Sequence, residues 1–270
     1  MKYEVNGNDI ILYEDDLELD DVLDTGQAFR WDKISENCYF GHCLDHALTI
    51  SGTGGRFILK DTSEEDFLTI WSPYFDLGTD YSALRKLYST DETLAKACGF
   101  SRGIRLLRQD GWEALVSFIF SSNNNITRIK GIIARLAEHY GHFPSAEELS
   151  VETVDSLGYL RSGFRAKYII DAAQKVSSGE VDLDAVRDMP YPEAKAELMK
   201  IKGVGPKVAD CVLLCGFGKT EAFPIDVWMK RVMEEYYSGG FPEEFYATQG
   251  IAQLYLFNYI RKFKEDKPER

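Results

Sequence analysis

The strongest chemical signal in the chain is a lysine and an aspartate, each placed where a helix should begin. Lys207 closes the run Leu198-Met199-Lys200-Ile201-Lys202-Gly203-Val204-Gly205-Pro206-Lys207. One helix should end near Ile201 and the next begin at Pro206, since proline is favoured at a first helical position. Gly203 and Gly205 let the backbone turn tightly between them. The second helix then opens with unpaired amides pointing outward, a ready cradle for a phosphate. An ordinary helical hairpin with glycines for close packing is the alternative reading. The positive end of the helix dipole and partial burial both disfavour an ammonium at Lys207, and a free lysine amine is a nucleophile that can form a Schiff base. Considered alone, Lys207 would be a solvated surface lysine.

Asp226 lies in Phe223-Pro224-Ile225-Asp226-Val227-Trp228. The helix carrying Lys207 can run to about Phe217, and a turn around Gly218-Lys219 brings the chain back. Asp226 should then open the following helix on the same side as Lys207. An N-cap is a frequent role for aspartate. The same carboxylate can stabilise developing positive charge or help to move protons.

The elements that must position this pair have to come from a chain of 270 residues, room for one or two domains. With 44% hydrophobic and 13% aromatic residues it can bury a sizeable core. A net charge of -13, from 31 Lys+Arg against 44 Asp+Glu, excludes coating of nucleic acid or an anionic membrane through bulk positive charge. Any nucleic-acid site must therefore be local and geometric. Residues 1–25 hold nine acids and one base, so this face should be solvated and stay away from a polyanion. Residues 99–135 reverse the balance with Arg102, Arg105, Arg108, Arg128, Lys130 and Arg135 against Asp110 and Glu113, a hint of a confined anion site.

No apolar run is long enough to span a membrane. The opening Met1-Lys2-Tyr3-Glu4 reads as neither signal nor transit peptide. Cys38, Cys43, Cys98, Cys211 and Cys215 are an odd, sparse set, consistent with free thiols in a reducing cytosol. No cysteine quartet near the C-terminus suits an iron–sulfur cluster. Cys38, His42, Cys43 and His46 lie close together, but the spacing is not that of a zinc finger and the segment reads as a strand.

Strand formers occupy Asp9 to Tyr13 and Cys38 to Leu44, while Ala47 to Ile50 and Arg56 to Leu59 flank the turn cluster at 51–55. Helices are expected from Ser63 to Trp71 and from Ser82 to Leu87. From about residue 103 the period becomes helical, with stripes at Trp112, Leu115, Phe118 and Ile119, at Ile129, Ile132, Ile133 and Leu136, and at Tyr168, Ile169 and Ala172. Pro144, Pro190, Pro224 and Pro242 fall between helical stretches. The fold class is α+β: an N-terminal antiparallel β-sheet domain over 1–103, packed on a mostly helical domain over 104–270.

Gly203-Val204-Gly205-Pro206-Lys207 followed by Pro224-Ile225-Asp226 closely resembles the helix–hairpin–helix DNA glycosylase superfamily, in its lysine-bearing, bifunctional branch. Ser121-Ser122-Asn123-Asn124-Asn125-Ile126 and Gly26-Gln27-Ala28-Phe29-Arg30-Trp31 look like the corresponding segments of 8-oxoguanine DNA glycosylases, here of bacterial type. The resemblance runs from about Thr25 to Phe257. The missing cluster cysteines argue against the endonuclease III and adenine-glycosylase branches, and the lysine argues against monofunctional alkyl-base relatives.

The resemblance implies a base-excision repair enzyme that flips 8-oxoguanine, preferably opposite cytosine, out of duplex DNA. Lys207 would attack C1′ and pass through a Schiff base to β-elimination, with Asp226 steering charge and protons. Gly26 would test the damaged base through its carbonyl, Cys211 and Phe257 would wall the pocket, and Gln253 would meet the Watson–Crick edge. Cys215 matches a variable pocket position. Asn123, Arg128 and Arg165 match residues that read the orphaned partner base, and Phe164 matches a wedge that is tyrosine in many relatives. Gly203, Val204, Gly205 and Trp228 would face phosphate, although Trp228 replaces the histidine usual in eukaryotic relatives. No organic cofactor or catalytic metal is implied, only a monovalent cation on the carbonyls of Met199, Ile201 and Val204. The expected partner is double-stranded DNA containing oxidised guanine, bound by a monomer in the cytoplasm, associated with the nucleoid and not with membrane. A glycosylase of the same superfamily for another oxidised base, or a non-enzymatic helix–hairpin–helix DNA-binding module, are the alternatives.

Overall fold

The computed structural model describes residues 1–265. It opens with β1 (Lys2–Asn6), β2 (Asp9–Tyr13), the short helix α1 (Leu19–Leu23), β3 (Trp31–Ser35), β4 (Cys38–Cys43), β5 (His46–Thr53) and β6 (Arg56–Lys60). All neighbours pair antiparallel in the order β1-β2-β6-β5-β4-β3. The expected strands are present, and β5 runs on to Thr53, so the turn shrinks to Gly54-Gly55, both at positive φ as a tight hairpin requires. The two strands without a sequence signal are the sheet edges. β1 buries no residue and β3 buries only Trp31, so neither shows the alternation that marks a strand packed on one face.

One face of the sheet carries Ile10, Leu12, Tyr39, Leu48, Ile50, Phe57 and Leu59 against Phe67, Trp71, Tyr74 and Phe75. Trp31 centres this layer. Its indole N–H donates to the Tyr74 hydroxyl at 2.7 Å, and a Cβ at Gly41 would stand 2.3 Å from its ring.

Helices begin well before residue 103. α2 (Glu64–Asp66), a wide π-helical turn over Phe67–Trp71 and α3 (Ser72–Tyr74) cover the first expected helix, and α4 (Tyr81–Tyr88) the second. α5 (Glu92–Phe100) carries no such signal; it buries only Leu94, Ala97 and Cys98, a stripe too small to register as periodicity. The helical layer continues with α6 (Gly111–Ser121), α7 (Ile126–Tyr140), α8 (Ala146–Ser150), α9 (Ala166–Ser177), α10 (Leu183–Asp188), α11 (Tyr191–Leu198), α12 (Pro206–Phe217), α13 (Val227–Tyr236) and α14 (Gln249–Glu265). Among the described residues no helix is long and apolar enough to cross a membrane.

α6 departs from the expected stripe. Every residue from Glu113 to Phe120 is buried, so it is the central helix of the layer. α12 crosses it at small residues: a Cβ on Gly216 would sit 2.9 Å from the Ala114 Cβ and 3.1 Å from the Gly111 Cα.

The basic excess of residues 99–135 is not a free anion site. Arg102 pairs with Asp16, and Arg108 with Asp76 at 2.8 Å. Arg105 is fully buried and donates to the carbonyls of Asp16, Phe75, Asp76 and Thr79. Arg135 donates to the Leu160 carbonyl and Lys130 to that of Trp31. The acidic N-terminal segment is correspondingly not just a solvated face: Asp16 also takes Arg85 at 2.6 Å, and Asp21 takes Lys262 at 2.8 Å. Opposite charges that the sequence separates are joined where the two layers meet.

A further buried pair links the sheet to α6. Arg30 Nη1 meets Glu113 Oε2 at 2.9 Å and the Leu44 carbonyl at 3.0 Å. Burial pushes the Glu113 carboxyl up to about 7 from an ordinary 4.5, with the Arg30 charge pulling the other way. Between these values the folded state holds a proton that the unfolded chain has lost. Stability should therefore fall as pH rises from about 4.5 to about 7, by on the order of 3 kcal/mol. Denaturant titrations across this range should show that decline, and Glu113→Gln should flatten it; an unchanged slope in the variant would reject the assignment.

Candidate active site

The hairpin that carries Lys207 is pinned from both sides. α11 ends at Leu198, slightly before the expected Ile201, because the Lys200 and Ile201 amides tighten onto Glu197 and Leu198 carbonyls. Gly203 stands at φ +85°, and a Cβ there would lie 2.4 Å from the Tyr168 ring, so the position admits only glycine on two counts. Asp171 on α9 accepts the Lys202 amide at 2.8 Å and pairs with its ammonium at 3.1 Å. The Ile201 carbonyl accepts the Val204 amide at 3.1 Å, and Lys175 Nζ donates to the Lys200 carbonyl at 2.6 Å. Gly205 then caps α12 without a side chain, Pro206 follows, and the first helical bond runs from the Ala209 amide to the Gly205 carbonyl. The Lys207 and Val208 amides thus project from an uncapped helix start, the geometry that holds an anion.

The helical period then sets Lys207, Cys211 and Cys215 on one face of α12. Lys207 is half-buried, with Nζ 5.8 Å from the centre of the Phe118 ring on α6. Burial pushes the Cys211 thiol up, against the pull of the neighbouring Lys207 charge, and burial raises Cys215 further. Both sulfurs stay protonated near neutrality and offer small, neutral walls rather than competing nucleophiles.

α12 ends at Phe217 with Gly218 at φ +64°, as expected from the glycine. The chain returns to Asp226, whose Oδ1 accepts the Trp228 amide at 2.9 Å and the Met229 amide at 2.8 Å. Asp226 is thus the N-cap of α13, and its second carboxylate oxygen is not used in that cap. On α14, Gln253 is buried and Phe257 half-buried one turn apart; Gln253 Nε2 donates to the Pro224 carbonyl at 3.3 Å, tying α14 to the loop before Asp226. Gly26, between α1 and β3, stands at φ +84° with Ile126 packed beside it.

These residues surround one cavity of about 500 Å³. Gly26, Lys207, Cys211, Cys215, Asp226, Trp228, Gln253 and Phe257 all line it. So do Phe118, Gln27, Ile126 and Arg261, which sequence reasoning did not assign to a site. Phe118 carried a helical-stripe signal only, and nothing in a stripe separates a core residue from a cavity wall. Trp228 belongs to this cavity rather than to the hairpin, with the Arg231 guanidinium 5.1 Å over its ring. Val204 is buried beneath the hairpin and its amide is taken by the Ile201 carbonyl, so it supports the turn from within instead of facing outward.

A second cluster forms outside the cavity, at the turn between α6 and α7. Asn123 is exposed at φ +49°, and Arg128 is exposed on the first turn of α7. Arg165 is buried; its Nε donates to the Ser122 carbonyl at 2.9 Å and its Nη2 to the Asn123 carbonyl at 2.7 Å. It braces the Asn123 turn. Phe164 is 48% exposed, which rules out core packing; it leans on Tyr168 and lies under the Arg165 guanidinium. At the sheet, strand alternation turns Cys43 into the core and His42 to the opposite face, and the described residues contain no group of three metal-type ligands.

With one amine and one carboxylate at two helix starts facing a base-sized cavity, this site is equipped for nucleophilic attack on a substrate held by its phosphates. Residues 9–115 match the family described as 8-oxoguanine DNA glycosylase, N-terminal domain, and residues 116–244 the HhH-GPD superfamily base excision DNA repair protein. The chain is 31% identical to the N-glycosylase/DNA lyase of Saccharomyces cerevisiae over 84% of its own length and 70% of that protein. It is 33% identical to a probable N-glycosylase/DNA lyase of Methanothermobacter thermautotrophicus, over 75% and 76% of the two chains. Among solved structures, MBOgg1 in complex with a low affinity DNA ligand matches with TM-score 0.92 at 41% identity, covering 98% of this chain and all (100%) of that one. The 8-oxoguanine glycosylase/lyase of Clostridium acetobutylicum, in complex with double-stranded DNA containing cytosine opposite 8-oxoG, matches with TM-score 0.91 at 34% identity, covering 98% and 99%.

The cap and the charge of Asp226 are separable. Asparagine caps as well as aspartate, so Asp226→Asn should leave stability within about 0.5 kcal/mol, whereas Asp226→Ala should cost about 1 kcal/mol. Urea denaturation of the two variants checks this, and equal losses would deny the capping role.

Proposed function

Because the chain belongs to the N-glycosylase/DNA lyase family of the HhH-GPD superfamily, whose members are base-excision repair enzymes, we propose that it excises 8-oxoguanine opposite cytosine from duplex DNA and then cuts the abasic strand through a lysine Schiff base. The observation that carries this reading is the meeting of Lys207, Asp226 and Gly26 around one cavity walled by Cys211 and Phe257.

In this reading the duplex is held by the hairpin amides of Gly203 and Gly205 and by the open start of α12, and the damaged nucleotide turns out into the cavity. Phe164, an exposed aromatic on a tight turn, fills the vacated stack. Asn123 and Arg128 make the direct contacts to the orphaned cytosine, whose N3 and O2 accept from amide and guanidinium donors. Arg165 supports them by holding the Asn123 turn. A monovalent cation on the carbonyls of Met199, Ile201 and Val204 would stiffen the hairpin. Trp228 closes the cavity wall that Arg231 backs. The enzyme works as a monomer in the cytoplasm, on nucleoid DNA.

Recognition turns on one proton. Guanine N7 is an acceptor, whereas N7 of 8-oxoguanine carries hydrogen and donates. The Gly26 carbonyl accepts from the lesion and repels the normal base, and an unpaired polar contact in a closed pocket is costly enough to discriminate. Gln253 meets the Watson–Crick edge, with Cys211 and Phe257 on the two faces of the ring. Cys215 lies one turn deeper on α12.

The Lys207 amine bonds to C1′ as the C1′–N9 bond breaks and the base leaves with its electron pair, to be protonated. The Asp226 carboxylate stabilises the positive charge that develops on the sugar. Loss of a proton from nitrogen and opening of the ring yield the Schiff base. Removal of a C2′ proton then breaks the C3′–O bond, releasing the 3′ strand as a phosphate-ended leaving group.

Borohydride added to protein and a duplex with one 8-oxoguanine opposite cytosine should trap a covalent adduct. Lys207→Gln should abolish the adduct and slow excision by a factor on the order of 10³ or more. Base release without an adduct would remove Lys207 as the nucleophile, and no release from this duplex would remove 8-oxoguanine as the substrate.

A further inference from the structure

Resting on the reading of Gly26 given above, we propose that Gln27 and Gln109 are positioning residues that hold the Gly26 carbonyl in register with the helix bearing Lys207. Gly26 cannot hold itself. It has no side chain, stands at φ +84°, and lies in a segment that joins the sheet only from Arg30 onward, where the Arg30 carbonyl accepts the His42 amide. The residue that follows it supplies the anchor. Gln27 is buried, its Oε1 accepts the Leu107 amide at 3.1 Å, and its Nε2 donates to the Arg105 carbonyl at 3.0 Å. Gln109, also buried, donates from Nε2 to the Gln27 carbonyl at 2.7 Å. The Gln109 amide in turn donates to the Cys215 carbonyl at 2.7 Å.

Three segments are therefore joined by two buried amide side chains: the Gly26 loop, the extended stretch from Arg105 to Gln109, and α12 two turns beyond Lys207. A primary amide bonded at both its oxygen and its nitrogen, as in Gln27, has one satisfied orientation and so fixes the backbone it meets. The Gly26–Gln27 peptide carries the testing carbonyl at one end and this anchor at the other. The recognition carbonyl comes from the sheet layer and the nucleophile from the helical layer, and the relay sets the distance between them. An apolar replacement of Gln27 of similar shape leaves the Arg105 carbonyl and the Leu107 amide buried without partners, and the loop must shift to relieve them. A shift of about 1 Å in a positioning group is enough to cost on the order of 10²-fold in rate.

The relay acts only where a base is present. An abasic site offers no N7–H, so strand cleavage at a preformed abasic site uses Lys207 and Asp226 without the Gly26 carbonyl. Gln109→Met, at a residue outside the cavity lining, should slow single-turnover excision of 8-oxoguanine opposite cytosine by about tenfold or more, while cleavage of a preformed abasic duplex stays within about twofold of wild type. Abasic cleavage also reports folding, and Gln109→Asn, whose amide stands one carbon short of the Gln27 carbonyl, decides between the outcomes if Gln109→Met does not fold. Excision and abasic cleavage falling together, or neither falling, would overturn the positioning role. Wild-type protein that cuts abasic DNA but leaves the 8-oxoguanine duplex intact would instead overturn the substrate reading, and this inference with it.

Discussion

The close crossing of α12 on α6 is the contact on which the rest of the site depends. Gly111, Ala114 and Gly216 let the two backbones approach to a distance that a larger side chain on either would prevent. That approach sets the Lys207 face of α12 over Phe118 and fixes where the start of α12 points. One helix thereby supplies the amine, the open amides at its start, and two pocket walls. α14 and the loop before α13 close around it, and the Gln253 bond to Pro224 keeps Asp226 at the same mouth.

The acidic composition fits this arrangement. Most of the arginines that looked like an anion-binding cluster are tied to Asp16, Asp76 and buried carbonyls between the two layers. They hold the sheet to the helices. What is left to face the proposed DNA partner is a set of uncapped backbone amides and a few exposed side chains, whose effect is short-ranged and directional. A chain with a net charge of -13 can grip a phosphate this way because partial charges at a helix start act over the first turn, where bulk charge has little influence.

The two halves of the chain divide the chemistry. The proposed nucleophile and the carboxylate come from helix starts in the helical layer, while the glycine carbonyl proposed to test the base comes from a loop of the sheet layer. Such a division makes the junction between layers part of the site. The buried Arg105, the Arg30–Glu113 pair and the Gln27–Gln109 relay all lie at that junction. Neutral, hydrogen-bonded amides suit the place nearest the pocket, because they add rigidity without a charge that would compete with Lys207 and Asp226.

The features legible in the sequence are those set by short-range physics. Gly203, Gly205 and Pro206 encode the hairpin through allowed φ and a missing amide, Gly218 ends α12 by its left-handed φ, and Asp226 begins α13 by capping amides two and three residues on. The strands of the sheet interior announced themselves by β-forming residues and by the turn cluster between two of them. The edge strands β1 and β3 did not, because an edge need not bury a face, and α5 did not, because alanine and cysteine make too weak a stripe. Family resemblance supplied the pocket residues, but no local pattern separates Phe118 as a cavity wall from Phe118 as core. Nor does any local pattern show that Arg165 braces the Asn123 turn or that Arg105 lies fully buried. Those roles depend on which distant groups a side chain meets. The sequence by itself determined where the chain turns, where helices start and which residue types stand at those starts, since a few neighbouring residues decide the backbone there. Only the tertiary structure decided which starts face one another across a cavity and which charges cancel, because those outcomes rest on contacts between residues far apart in the chain.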